Sequence, residues 1–161
     1  MHFPTHLQEI LAHNRLFKEG QWAFSTCSGL AGLEGILANM RTAANQVCLS
    51  DTTDSETFRK GGAWYLREVY TLFLVSRYDT RHGRRTYEDA LTECRIMRRQ
   101  ILSRLLRESD TMRADLLYLD IDTFRSRDLG AQFIDGAAGL YFMIPISRPL
   151  DLTYNSQEWT E

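Results

Sequence analysis

The sequence predicts an α+β domain, a single mostly antiparallel sheet with helices packed on it, and three stretches carry that prediction. Trp64 to Tyr78, WYLREVYTLFLVSRY, is the longest run dense in the β-branched and aromatic residues that suit a pleated, half-buried surface. Thr86 to Glu108 places Tyr87, Ala90, Leu91, Cys94, Met97, Ile101 and Leu105 at spacings of three and four, with Ala90 and Leu91 adjacent, the signature of a helix with one buried face. Gly139 to Ser147, GLYFMIPIS, is a second strand apolar on both sides. At 161 residues the chain reads as one domain, 1–161, long enough to bury a core without staples and ending in a polar tail over about 149–161.

The central strand sets the first requirement. From Val69 to Val75 only Thr71 is polar, so both faces need cover. The helix that follows supplies one cover, and a second helix or another copy of the protein supplies the other.

Before that strand, Thr5 with Gln8 forms a capping-box pattern, and Leu7, Ile10, Leu11, Asn14 and Phe17 recur at helical spacing until Gly20. His6 and His13 flank this stripe with no ligand partner nearby, which reads as a surface role rather than a metal site. Gln21 to Thr26 predicts a brief strand. Ser28 begins a second helical pattern in which Gly29, Gly32 and Gly35 recur, without the G-K-[ST] ending of a phosphate loop. Small residues there serve close packing on the sheet. A short strand follows at Gln46 to Leu49. The polar run Ser50 to Lys60, SDTTDSETFRK, then reads as a loop or hairpin connection closing in Gly61-Gly62.

After the basic turn Arg77 to Arg85, the helix from Thr86 carries arginines on its polar positions. Between Arg77 and Arg107 nine arginines face four carboxylates, an excess of five positive charges. Of 19 basic residues in the chain, 17 are arginine, the cation whose planar, weakly hydrated head tolerates interfaces. The net charge of −2 gives no global pull toward nucleic acid. Asp115 to Asp122 predicts a strand, and Phe124 to Gly136 a polar linker with a helical turn at Leu129 to Ile134. Pro145 lacks an amide hydrogen and predicts a sheet edge or bulge. Tyr154 and Trp159 stand alone in the polar tail and could dock on a neighbour.

Cys27, Cys48 and Cys94 share no C-x-x-C spacing and read as reduced core thiols. No apolar run approaches the length of a membrane span, and the N-terminus lacks a signal-peptide pattern, so no membrane partner and a cytoplasmic setting are expected. The best catalytic arrangement is Asp120 with Asp122, two apart on a strand and so on one face, among the further acids Asp115, Asp128 and Asp135. They define the alternative of a Mg²⁺-dependent nucleic-acid enzyme. A nucleic-acid-binding protein reading phosphates through the arginine stripe is the other alternative. Neither a nucleophile context nor a cofactor motif is present in the sequence.

The order of elements resembles the tail terminator and tail completion (neck) proteins of long-tailed bacteriophages and prophages. Asp51 to Tyr78, Thr86 to Glu108 and Gly139 to Trp159 carry the resemblance. It implies a tail-terminator-like α+β protein without a catalytic site or cofactor. Its copies would form a ring, commonly a hexamer, that caps the tail tube and receives the head connector. It also implies assembly in the bacterial cytoplasm and a final place in the virion neck. On that reading Arg95, Arg98, Arg99 and Arg104 face a neighbouring copy. The 50s loop, with Asp54, Glu56 and Arg59, faces the tube, and Tyr154 and Trp159 complete the interface.

Overall fold

A computed structural model describes residues 3–28, 32, 35, 45–51, 54–78, 85–110, 119, 124–130 and 136–160. Its first helix, α1 (Phe3–Ala12), buries Phe3, His6, Leu7, Ile10 and Leu11, the three-and-four stripe of an amphipathic helix. The single N-terminal helix expected from the pattern is broken in two. Asn14 adopts an extended conformation and its side chain accepts a hydrogen bond from Phe17 N at 2.8 Å, capping a separate short helix, α2 (Arg15–Glu19).

The strands are β1 (Trp22–Cys27), β2 (Asn45–Ser50), β3 (Asp54–Lys60), β4 (Ala63–Arg77), β5 (Arg125–Leu129) and β6 (Ala137–Pro149), with α3 (Tyr87–Asp110) between β4 and β5. They form one mixed sheet in the order β1-β2-β4-β6-β5, with β3 also paired to β4. Only β1–β2 is parallel. The 15-residue strand β4 is the spine. Along one edge it pairs first with β3 (Ala63 to Val69) and then with β2 (Leu72 to Ser76), and along the other with β6 over its whole length from Tyr65.

Two expectations for the polar stretches are corrected. Most of the 50s run is a strand, β3, and only Gly61-Gly62 turns the chain. Both glycines have positive φ, 58° and 85°, the requirement of a two-residue type I′ hairpin. Arg125 to Leu129, expected as part of a linker, is strand β5, paired with Gly139 to Met143. The predicted strand at Asp115 to Asp122 and the helical turn expected at Leu129 to Ile134 fall largely outside the described residues, and Leu129 itself is the last residue of β5 and not part of a helical turn. Leu119 is described, buried and bridged to Ile146. β5 ends at the register Arg125↔Met143, so Pro145 lies where β6 has run past that neighbour.

Period-two alternation sorts the sheet into two faces. Val47, Leu49, Leu72, Leu74, Leu140, Phe142 and Ile144 point to one, where α1 and α3 lay Leu7, Leu11, Met97, Ile101 and Leu105 against them in a single buried cluster. Each such aliphatic side chain contributes about 1.5–3 kcal/mol by leaving water. On the opposite face the upper end is shielded: Cys27 and Cys48 pack with Phe73, and Val75 with Ala137 and Leu129. Gly32 approaches closely here, since a Cβ on it would lie 3.3 Å from Cys27 Cβ, while Gly35 has open space around it. The lower end of this face, around Val69, Thr71 and Met143, is only half-buried.

Candidate interaction surface

The hairpin β3–β4 builds the most articulated exposed surface. Glu56 lies opposite Arg67 in register, and Arg67 Nη1 donates to Glu56 Oε2 at 3.0 Å. The same guanidinium lies 4.7 Å over the ring of Phe58, which in turn stacks on Tyr65 at 5.6 Å. Arg67 is therefore fixed by a charge on one side and a π face on the other. On the reverse face Arg59 covers Trp64 at 5.9 Å and Arg148 pairs with Glu68 at 3.3 Å.

Beside the hairpin a groove of about 380 Å³ crosses the half-buried face. Its floor is Val69, Met143 and Pro145; Asp54 and Glu56 of β3, with Arg67 beside them, form one rim and Arg125 of β5 the other. Two carboxylates balance two guanidiniums over an apolar base. That chemistry suits a polypeptide segment, and no nucleophile–base pair is assembled along it. Among the described residues no cluster of three His, Cys, Asp or Glu side chains could hold a metal ion.

The predicted site residues separate into three groups. Asp54 and Glu56 lie on one face of β3 and Arg59 on the reverse, all three exposed. The arginines of α3 are mostly held by their own chain. Arg95 Nη2 donates to Asp128 Oδ2 at 2.6 Å, a bond that raises the guanidinium above its ordinary pKa. Arg98 donates to Ser126 Oγ at 2.5 Å and Arg104 Nε to Glu108 Oε1 at 2.7 Å. These bonds pin α3 to β5 and to its own last turn. Arg99 is exposed, with no partner among the described residues. Tyr154 and Trp159 lie in the tail, stacked on each other at 6.4 Å and 69 % and 66 % exposed. Asp120 and Asp122, with Asp115 and Asp135, lie outside the described residues, and Asp128 is committed to Arg95.

Two polar constellations escaped sequence reasoning. His6, expected at the surface, is 4 % exposed, with Nε2 2.6 Å from Glu108 Oε2 across 102 positions of sequence. Its partner sits on a different helix, so no local signal reveals it; only its place within the Phe3–Leu7–Ile10 stripe hinted at burial. A second chain of bonds closes the top of the core. Asn45 Nδ2 donates to Gly20 O at 2.6 Å, Ser76 Oγ to Asn45 Oδ1 at 2.7 Å, and Arg85 to both Ser76 and Glu93. Trp22 Nε1 joins the same Glu93 at 3.2 Å. Arg85 and Glu93 thus serve the core rather than the basic surface that composition implied. Arg125 and Arg127 were missed because β5 was read as linker, its R-S-R-D-L run carrying no apolar alternation.

Comparison with protein-family models finds none that matches this sequence, and comparison with curated proteins finds no significant match.

Proposed function

We propose that the chain is a non-catalytic assembly subunit that associates head-to-tail into a ring. Following the resemblance of 51–78, 86–108 and 139–159, we assign that ring to the neck of a bacteriophage or prophage tail, capping the tail tube and meeting the head connector. One observation supports association most directly: on one face of the sheet the two outer strands present pairs of opposite charge, with Arg59 and Lys60 of β3 confined to its hairpin end. β3 exposes Asp54 and Glu56, and β5 exposes Arg125 and Arg127, all four on the same face by register. β5 runs parallel to β4 and therefore antiparallel to β3. A neighbour displaced along the strands by four residues, the offset between Val69 (level with Asp54) and Phe73 (level with Arg127 through Tyr141), brings its β3 antiparallel to this β5. Asp54 then lies opposite Arg127 and Glu56 opposite Arg125, with main-chain bonds supplying affinity and the charges fixing register. Such a heterologous contact repeats into a ring when its rotation closes.

The test is a charge swap read by light scattering. Asp54→Lys weakens self-association roughly tenfold, and adding Arg127→Glu to the same chain restores it. An unchanged mass on dilution in both variants overturns the assembly reading. Nicking of plasmid DNA by the purified protein with Mg²⁺ overturns its non-catalytic part.

A further inference from the structure

Among the described residues, Asp151 to Thr160 hydrogen-bond only with one another. Every residue from Asp151 to Thr160 is exposed, and three of the large exposed apolar side chains of the structure are here: Leu152 at 53 %, Tyr154 at 69 % and Trp159 at 66 %. The segment is nevertheless shaped. Asp151 Oδ1 accepts from Thr153 N at 2.9 Å, and Asn155 Oδ1 from Gln157 N at 3.1 Å, opening a 3-10 turn over Ser156–Glu158. Asn155 Nδ2 reaches Glu158 Oε1 at 3.1 Å, and the two rings close on each other 19° from parallel. These bonds pre-form an aromatic hook in water, where two stacked rings gain little and a partner's surface would gain much. The hook is also acidic: Asp151 and Glu158 are the charged side chains among its described residues.

The complementary surface lies on the outer side of α3. Thr92, Ile96, Arg99, Ser103 and Arg107 recur at helical spacing and are all exposed. Ile96, 39 % exposed, is an apolar side chain left in water, and Arg99 and Arg107 have no partner among the described residues. Arg95 and Arg104 on either side are engaged within the chain, which leaves Arg99 and Arg107 as the cations this stripe can offer.

We infer that the hook of one copy docks on this stripe of the next. Leu152 and the stacked rings cover Ile96, Arg99 stacks on an exposed ring face, and the carboxylates of Asp151 and Glu158 meet Arg99 and Arg107. The inference rests on the assembly reading above and names the second contact of the same interface.

The experiment uses the full chain labelled with 5-fluorotryptophan, the Trp159 resonance being assigned by its loss in Trp159→Phe. Fluorine spectra and sedimentation are recorded over one dilution series. The Trp159 resonance shifts together with the mass transition. Arg99→Glu with Arg107→Glu abolishes the shift and weakens association at least tenfold, and adding Asp151→Arg with Glu158→Arg to that chain restores both. A mass transition with an unmoved Trp159 resonance overturns the hook and leaves the assembly reading standing. A shift independent of concentration means docking on the same chain and overturns the inter-copy contact. A monomer at every concentration overturns both.

Discussion

His6 joins two helices that lie far apart in the sequence. Its Nε2 lies 2.6 Å from Glu108 in a site where both side chains are almost fully buried, so the pair fastens the first helix to the end of the third. Arg104 holds the other oxygen of that carboxylate from the solvent side at 2.7 Å. Removing one partner of a buried pair costs about 3–5 kcal/mol because a charge is left unsatisfied. Here Arg104 still satisfies one oxygen, so the lower end applies. His6→Ala lowers the unfolding free energy by about 3 kcal/mol in urea titration. Glu108→Gln combined with it costs less than the sum of the two, because each variant removes the same bond. Additive costs would show that the two side chains act independently.

Element by element, what could be read from sequence was whatever carries its own hydrophobic period. β4, α3 and β6 were legible because Leu72, Leu74, Met97, Ile101, Phe142 and Ile144 repeat at the spacing of the element they belong to. β3 and β5 were not, because D-S-E-T-F-R-K and R-S-R-D-L bury almost nothing. Their conformation comes from main-chain pairing to β4 and β6, which leaves no trace in side-chain polarity. The groove was illegible for the same reason: its rims sit on those two strands. The break between α1 and α2 was written in Asn14, a helix-capping residue taken for part of the stripe. The β3–β4 hairpin depends in turn on Gly61 and Gly62, both in the left-handed region with open space around them. The constraint there is conformational and not steric. Gly61→Asn leaves stability nearly unchanged, since asparagine tolerates that position in type I′ turns. Gly61→Val costs about 1–2 kcal/mol. Amide exchange checks this locally: protection in β3 falls in the valine variant and persists in the asparagine one, while α3 is unaffected in both. Equal loss in the two variants would mean that the turn needs a missing side chain and not a positive φ.

Among the described residues the main core lies on one face of a long sheet and holds Cys94, with Tyr70 packed against it, while Cys27 and Cys48 are buried with Phe73 on the opposite face. Burial is the first cause that pushes Cys94 up to about 12. Cys48 is likewise pushed up to about 12, first by burial and then by the hydrogen bond and field of the neighbouring Cys27 thiol. Tyr70 and Tyr87 shift in the same direction, with burial again the leading cause. A raised folded-state value means that the native protein keeps a proton which the unfolded chain gives up. The contribution is therefore complete below pH 9.0, the ordinary thiol value, and is lost as pH rises toward about 12. Within that window each thiol removes about 1.4 kcal/mol of stability for every tenfold fall in proton activity. Urea midpoints measured from pH 8 to 11 should thus be level at first and then fall steeply. Cys94→Ala starts from a lower midpoint because a core atom is gone, yet its fall above pH 9 is shallower by one thiol's share. Neither Cys48 nor Cys94 reacts with a maleimide at pH 8 until the protein is unfolded, because burial both blocks access and withholds the thiolate. A wild-type stability curve that stays flat to pH 11, or rapid labelling of the native protein, would show that the core around α3 and β2 opens far more readily than its packing implies.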